Sequence, residues 1–363
     1  MRWPWKRQGS SERLVVSWAG QALAYVLARA RSDGSYEVLK FGVERQGAAS
    51  TEDFVHRLNE LGLKGLDTHV MLWPEQYQWL QIDAPPVAPE ELRSAARYQI
   101  REMLNTHVDD VTLDVMRVGD GSHKGAGHLF VVAAPNAEVR RVLDLGDAMH
   151  WTVSVIDVQE TAQRNLQSAL AGRDGQADRA NAALVLEEGH QAVLTISANE
   201  ELFYTRRFDL PVGFLAASWG QESAAEPEVS VNAYTPVDDY VPDYSVGGVS
   251  YGNDYSDTRG VSPGSVVRGA AQDDQAQRLL VEVQRSLDVW DRSWSSMPLN
   301  GLRVYAGVRS AELSKWLSVQ LGQTVKPLDV NALFTEFEGG AEGDQALCLP
   351  LLGVLMRSES RKL

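Results

Sequence analysis

The sequence is poor in cysteine. Its 363 residues hold one, Cys348, so no intramolecular disulfide can form and a disulfide-stapled scaffold is excluded. A lone thiol fits a reducing compartment, and its setting in the apolar run "ALCLPLLGVL" reads as a small buried hydrophobe. Long apolar runs are missing as well. The longest uncharged stretch, "LVVSWAGQALAYVLA" (14–28), is shorter than the roughly 18–20 residues that a spanning helix needs. With a glycine at its centre it reads as a buried hairpin. No apolar segment follows the basic, aromatic start "MRWPWKRQGSSER", so no secretory signal is expected. Positive charge is scarce: the net charge is −15. An acidic chain repels a phosphate backbone, which argues against nucleic-acid binding. The histidines (His56, His69, His107, His123, His128, His150 and His190) show no metal-ligand spacing. No metal site and no catalytic residue set is expected, and the reading is of a soluble, cytoplasmic protein.

What is present is apolar content enough for two lobes: 44% of the residues are hydrophobic. One segment stands apart. From Trp219 to Gln272 the chain is rich in Pro, Gly, Ser, Tyr and Asp and has no lasting period, which reads as a disordered insert. Residues 219–274 hold ten acids against two arginines, so about half of the net negative charge lies there.

Either side of it the elements are legible. "RLVVSW-AGQ-ALAYVLARA-RSDG-SYEVLKFGV" predicts three strands joined by a Gly turn and an Asp-Gly turn. Ser50 or Thr51 then caps a helix through Leu58 and Leu61. "THVMLW" and "QWLQIDA" predict strands. Pro89, Glu90 and Glu91 open a helix over 90–104 with Leu92, Ala95, Ala96, Ile100 and Met103 on one face. "HLFVVAAP" leads into a helix from Asn136, and "VSVIDV" into a helix over 159–170. Near residue 182 the first pattern restarts: "AALVLE-EGH-QAVLTIS-ANE-ELFYTRRFDL" is again strand, turn, strand, turn, strand, the mark of an internal duplication. Leu279, Val283, Leu287, Trp290 and Trp294 stripe a long helix. "LRVYAG" then leads to a helix capped by Ser310.

A meander in each half, each with a Gly turn aimed at a central cleft, is the plan of an α/β, actin-like fold: bilobal, a duplicated ribonuclease-H-like unit, here with a long disordered insertion. The expected boundaries are a tail (1–12) and a first lobe (13–172, with an inserted subdomain at about 75–127). A second lobe (180–218 and 273–345) is split by the insert (219–272). A C-terminal segment (346–363) returns to the first lobe.

Six stretches carry a family resemblance: "APPVAPEELRSAARYQIREMLNTHVDDVTLDV", "LFVVAAPNAEVRRVLDL", "VSVIDVQETAQRNL", "LFYTRRFDLPVG", "LLVEVQRSLDVWDR" and "VYAGVRSAELSKWLSVQLG". In this order the chain resembles the PilM family of type IV pilus assembly proteins, and within it the MshI branch of mannose-sensitive haemagglutinin pilus biogenesis. The resemblance implies a phosphate-binding loop reading Asp-Ile-Gly-Ser-Ser; here it reads Ser17-Trp18-Ala19-Gly20-Gln21. The second Asp position falls on Glu187, with Gly189 retained, and Ala306-Gly307 stands for Gly-Gly. Ser17, Gly20, Gln21, Glu187, Gly189 and Gly307 are therefore the expected remnants of a degenerate site for ATP with Mg²⁺, and loss of the nucleotide is the favoured expectation.

The resemblance also implies a scaffold at the cytoplasmic face of the inner membrane. Its first lobe would hold the N-terminal cytoplasmic tail of a bitopic inner-membrane pilus assembly protein. Trp73, Trp79, Arg97, Tyr98 and Arg101 are the candidate anchors for it. Two other readings stay open: a nucleotide-gated switch or weak ATPase, and a GspL-like type II secretion component. The last ranks lower because those chains continue into a membrane span, whereas "LMRSESRKL" does not. The start "MRWPWKR", with three basic residues and two tryptophans, reads first as a disordered tail and second as a patch for an anionic lipid surface.

Overall fold

The computed structural model describes residues 12–118, 127–187, 189–210, 213–217, 219, 263–339 and 341–357. The basic start and nearly all of the acidic Tyr-rich insert lie outside the described residues. The first lobe begins with an antiparallel meander of β1 (Glu12–Ala19), β2 (Ala22–Ala30) and β3 (Tyr36–Arg45). Helix α1 (Thr51–Glu60) follows, capped by Ser50, whose Oγ accepts the Asp53 N–H at 3.1 Å. Next come β4 (Asp67–Leu72), β5 (Gln78–Asp83), α2 (Leu92–Gln99), β6 (Val111–Arg117), β7 (His128–Pro135) and α3 (Asn136–Met149). β8 (Thr152–Val158) and α4 (Gln159–Arg173) close this half. β4 pairs with β1 and β8 in parallel, so the sheet order is β3-β2-β1-β4-β8. β5, β7 and β6 form a separate antiparallel sheet under α2, around Ile82, Leu92, Ala96, Ile100 and Leu113.

The second half repeats the scheme. β9 (Ala180–Val185), β10 (Ala192–Ala198) and β11 (Glu201–Phe208) make the meander, and α5 (Pro263–Ser293) follows. Then come β12 (Leu299–Tyr305), α6 (Ser310–Leu321), β13 (Val325–Pro327) and α7 (Glu342–Leu355). The order β11-β10-β9-β12-β13 matches that of the first sheet strand for strand, as the duplicated meander predicts.

The central strands explain their own composition. In β1, Leu14, Val16 and Trp18 face the cluster around α1 and α3, while Val15 faces α4 and α7. A strand covered on both faces reads as a continuous apolar run rather than an alternation, which is why "LVVSW" is unbroken. β9 does the same: Ala182 and Leu184 face the second lobe's own core, Ala183 and Val185 the α4–α7 layer. That layer is shared. Val15, Ala24 and Val26 of the first sheet, Ala183, Val185 and Tyr305 of the second, and Leu166, Leu349 and Leu352 of the two helices form one buried cluster. The helices cross so closely that a Cβ at Gly353 would stand 2.0 Å from the Ala162 carbonyl oxygen. Cys348 is completely buried there, its thiol directed at the carbonyls of Tyr25 and Gly42.

Three details differ from expectation. The helix foreseen over 90–104 ends at Gln99, and a 3-10 turn over 101–103 follows. The tighter turn swings Met103 out of the stripe, leaving it 46% exposed. Trp219, expected to open the insert, is buried against Phe214 in the second lobe's core. The backbone of α5 is helical from Pro263 rather than from 273. The α5 stripe itself is as read: Leu279, Val283, Leu287 and Trp290 are buried, and Trp294 stacks beside Trp290.

Candidate interlobe cleft and docking groove

The β1–β2 and β9–β10 turns and the loop after β12 carry the expected nucleotide segments. Gly20 and Gly189 sit at positive φ (56° and 83°) with open space where a Cβ would go, so turn geometry alone accounts for both. Whether these loops fit a nucleotide is decided by their donors, because phosphate is held by backbone N–H groups and hydroxyls at such turns.

In the first turn Ser17 is buried on β1 and its Oγ meets no partner among the described residues. Trp18 lies under the Arg141 guanidinium, 4.1 Å from ring centroid to Cζ. Arg141 also donates to the Gly20 carbonyl, and the exposed Gln21 accepts the Gln46 N–H through its own carbonyl. In the second turn the His190 N–H donates to the Glu187 carbonyl at 3.1 Å. The next amide, that of Gln191, donates to Glu75 Oε1 at 2.9 Å. In the third, Ser310 Oγ accepts the Ala306 N–H at 2.9 Å and donates to the Gly307 carbonyl at 2.6 Å. Arg309 stacks on Trp219, binds the carbonyls of Leu215 and Ala217, and pairs with Glu312. In the second and third segments the donors are thus turned to the protein's own acceptors, whereas in the first it is the carbonyls of Gly20 and Gln21 that are engaged. The fit to a phosphate is reduced in the second and third segments, while Ser17 keeps an unpartnered hydroxyl among the described residues. Glu188, the second acid of the hairpin, lies outside the described residues.

The turn Trp73–Tyr77 between β4 and β5 reaches both lobes at the cleft. Gln76 accepts the Trp73 N–H and donates to the Trp18 carbonyl (3.1 Å) and to Glu138 (2.9 Å). Glu75 reaches across to the second lobe, where its Oε2 also stands 3.3 Å from His190 Nδ1. The His190 ring stacks on Trp73 at 4.1 Å and 13°. Burial raises the Glu75 carboxyl, but the contacts with His190 and the Gln191 amide outweigh it and hold it below the usual range.

Behind this lies a buried ion pair. Arg207 on β11 donates through Nε to Glu160 at 2.8 Å and through Nη1 to the Pro74 carbonyl at 2.7 Å, with its guanidinium over the Tyr77 ring. The Tyr77 hydroxyl donates to Glu160, whose place in the first turn of α4 suits its charge. Burial and the neighbouring Glu160 push the Tyr77 hydroxyl well above its ordinary range. Burial alone would lower Arg207, but Glu160 and Tyr77 raise it.

The candidate anchors are scattered. Trp73 is 1% exposed and belongs to the cleft, so it presents no surface to a partner, a correction that follows from its stack on His190. Trp79 packs on Phe130 at 5.0 Å. Arg97 is spent on the carbonyls of Val108 and Val111, tying α2 to the start of β6. Tyr98 (83% exposed) and Arg101 do face outward.

One open concavity of the first lobe lies elsewhere. Trp18, Thr51, Arg140, Arg141, Asp144 and Leu145 line a shallow groove of about 490 Å³ between α3 and the start of α1. Sequence reading missed Glu75, Arg140 and Arg207. One signal was available. Consecutive residues on a strand face opposite ways, so "RR" in β11 must turn one arginine inward. Arg206 pairs with Glu282 on α5, and Arg207 turns to the cleft.

Among the described residues no helix is long and apolar enough to cross a membrane. No protein-family model matches the chain, and no curated protein matches it by sequence. Solved structures do. A chain of a PilM–PilN type IV pilus biogenesis complex superposes with a TM-score of 0.64 at 16% identity, over 95% of this chain and 99% of that one. A Bacteroides thetaiotaomicron protein with an actin-like ATPase fold gives 0.48 at 7% identity, over 97% and 98%. The cytoplasmic domain of EpsL, an inner-membrane component of the Vibrio cholerae type II secretion system, gives 0.39 at 19%, over 59% and 79%. Two matching five-stranded sheets around a shared pair of helices, with that first superposition over nearly the whole chain, make this an actin-like fold.

Proposed function

We infer that the protein is a PilM-like scaffold of a type IV pilus machine, of the mannose-sensitive haemagglutinin type. It works at the cytoplasmic face of the inner membrane and holds the N-terminal tail of a bitopic inner-membrane pilus assembly protein. The observation that carries this reading is the cleft: its loops are bonded to the protein's own side chains while the first lobe keeps an open groove. A fold whose nucleotide segments are turned inward serves as a rigid body with a docking face. The fold it shares with a chain of a PilM–PilN complex, and the six sequence stretches, support the same reading.

The groove suits a short peptide. Leu145 and the Trp18 edge receive an aliphatic side chain, while Arg140 and Asp144 bind backbone or polar groups at the rim. Fluorescence anisotropy with labelled cytoplasmic tails of bitopic pilus proteins tests it. One tail should bind at about 1–10 μM, near −8 kcal/mol. Arg140→Glu should weaken it about tenfold, or about 1.4 kcal/mol, with unchanged melting. The reading fails if no tail binds, or if Arg140→Glu binds as the native protein does.

A further inference from the structure

The second hairpin offers one backbone amide of the kind that anions seek, and the first lobe supplies the anion. The Gln191 N–H lies 2.9 Å from Glu75 Oε1, and Oε2 faces His190 Nδ1 at 3.3 Å. Glu75 is set by its own turn: Pro74 before it is clasped by Arg207, and Gln76 after it by Trp18 and Glu138. The His190–Trp73 stack closes the side. A carboxylate on a backbone N–H makes a charge-assisted bond, stronger than a neutral one. It spans the two lobes beside the Arg207 contact with the same turn and the shared α4–α7 layer.

We propose that Glu75 is a built-in ligand: its carboxylate takes the anion seat of the second hairpin and fixes the angle between the lobes from within. A bound phosphate would join the two hairpins through a shared anion. Here Glu75 holds one hairpin while its neighbour Gln76 holds the other. The seat takes a single carboxylate-sized anion. Glu187 on the same hairpin and Asp209 just after β11, which accepts from the Gln191 side chain at 2.8 Å, repel a polyanion. This proposal goes beyond the docking reading and stands or falls apart from it, because its test involves no partner.

The test is chemical rescue of Glu75→Ala in the full chain. The variant should melt several degrees lower than the native protein and show a larger radius of gyration by X-ray scattering. Sodium formate should restore part of both losses where equal sodium chloride does not, and pyrophosphate should restore neither. The native protein should ignore all three salts beyond their ionic strength. An unchanged melting point in Glu75→Ala overturns the proposal, as does a loss that formate and chloride treat alike, or a rescue by pyrophosphate. If Glu75→Ala does not fold, Glu75→Gln serves. Its backbone amide signal for Gln191 should move markedly in a ¹⁵N spectrum, and an unmoved signal overturns the claim.

Discussion

Replacing Gly353 by alanine sets two well-defined effects against each other. In a helix interior alanine is favoured over glycine by about 1 kcal/mol, so α7 taken alone, with Gly353 in its last turn, would gain at most that. The crossing with α4 opposes this. A Cβ at 353 would stand 2.0 Å from the Ala162 oxygen and 2.6 Å from its carbonyl carbon. Ordinary contact begins near 3.4 Å, and the obstacle is backbone, which has no rotamer to escape into. The helices must part by well over 1 Å or tilt. Either move opens the layer around Leu166, Leu349 and Leu352 and strains the bond from Asn165 Nδ2 to the Gly353 carbonyl at 3.0 Å. Overpacking of this kind costs about 3 kcal/mol or more, so the net loss is at least about 2 kcal/mol. Urea denaturation followed by circular dichroism measures it. Gly343→Ala on the same helix, with nothing within 4 Å of the new methyl, is the control, and should be neutral or gain at most about 1 kcal/mol. If Gly353→Ala proves as stable as the native chain, the close crossing of α4 and α7 is refuted.

Other outcomes follow from the same contacts. Burial pushes the Cys348 thiol up to about 12, its hydrogen bonds to Gly42 and Tyr25 opposing only in part. Thiol reagents should therefore modify it only as fast as the protein unfolds; rapid labelling under native conditions would show an open layer. Arg207→Met should cost about 3–5 kcal/mol, because it strands Glu160 in the interior. The double variant with Glu160→Gln should recover a large part of that loss, and additive losses in urea melts would argue against coupling. Glu75 titrates below its ordinary value when folded, so its contribution is complete above the unfolded pKa of about 4.3 and fades as the pH falls through the folded one. The stability gap between native protein and Glu75→Gln should hence narrow from about pH 5 towards pH 3; a gap independent of pH would count against it.

The fold was legible because its signals are periodic and repeated. The two meanders show in the spacing of "AGQ" and "EGH" between apolar runs, and the α5 stripe in the rhythm of Leu279, Val283, Leu287 and Trp290. Length was less legible. Nothing in the apolar spacing of 92–103 marks where α-helix yields to a 3-10 turn, because both place residues on one face for a turn or two. The site was harder still. Glu75 belongs to a five-residue turn with no period, and its partners Gln191 and His190 lie over a hundred residues away. Trp73 looked like a surface anchor because an aromatic at a strand end does not reveal which lobe will cover it. Departure from the expected Asp and Gly-Gly was readable at Ser17 and Ala306. The reach of Glu75 to the second hairpin was not.

The order in which the chain is made bears on how it reaches this fold. The face of the first sheet formed by Val15, Ala24 and Val26 is sealed by α7, and Cys348 meets Tyr25 across 323 positions. During synthesis that face is therefore complete in sequence early and bare until residues past 342 have emerged. Such distant closure is slow, and an uncovered apolar sheet is open to wrong partners meanwhile. Nascent chains stalled before α7 should be strong clients of chaperones, and α7 supplied as a separate peptide should release them.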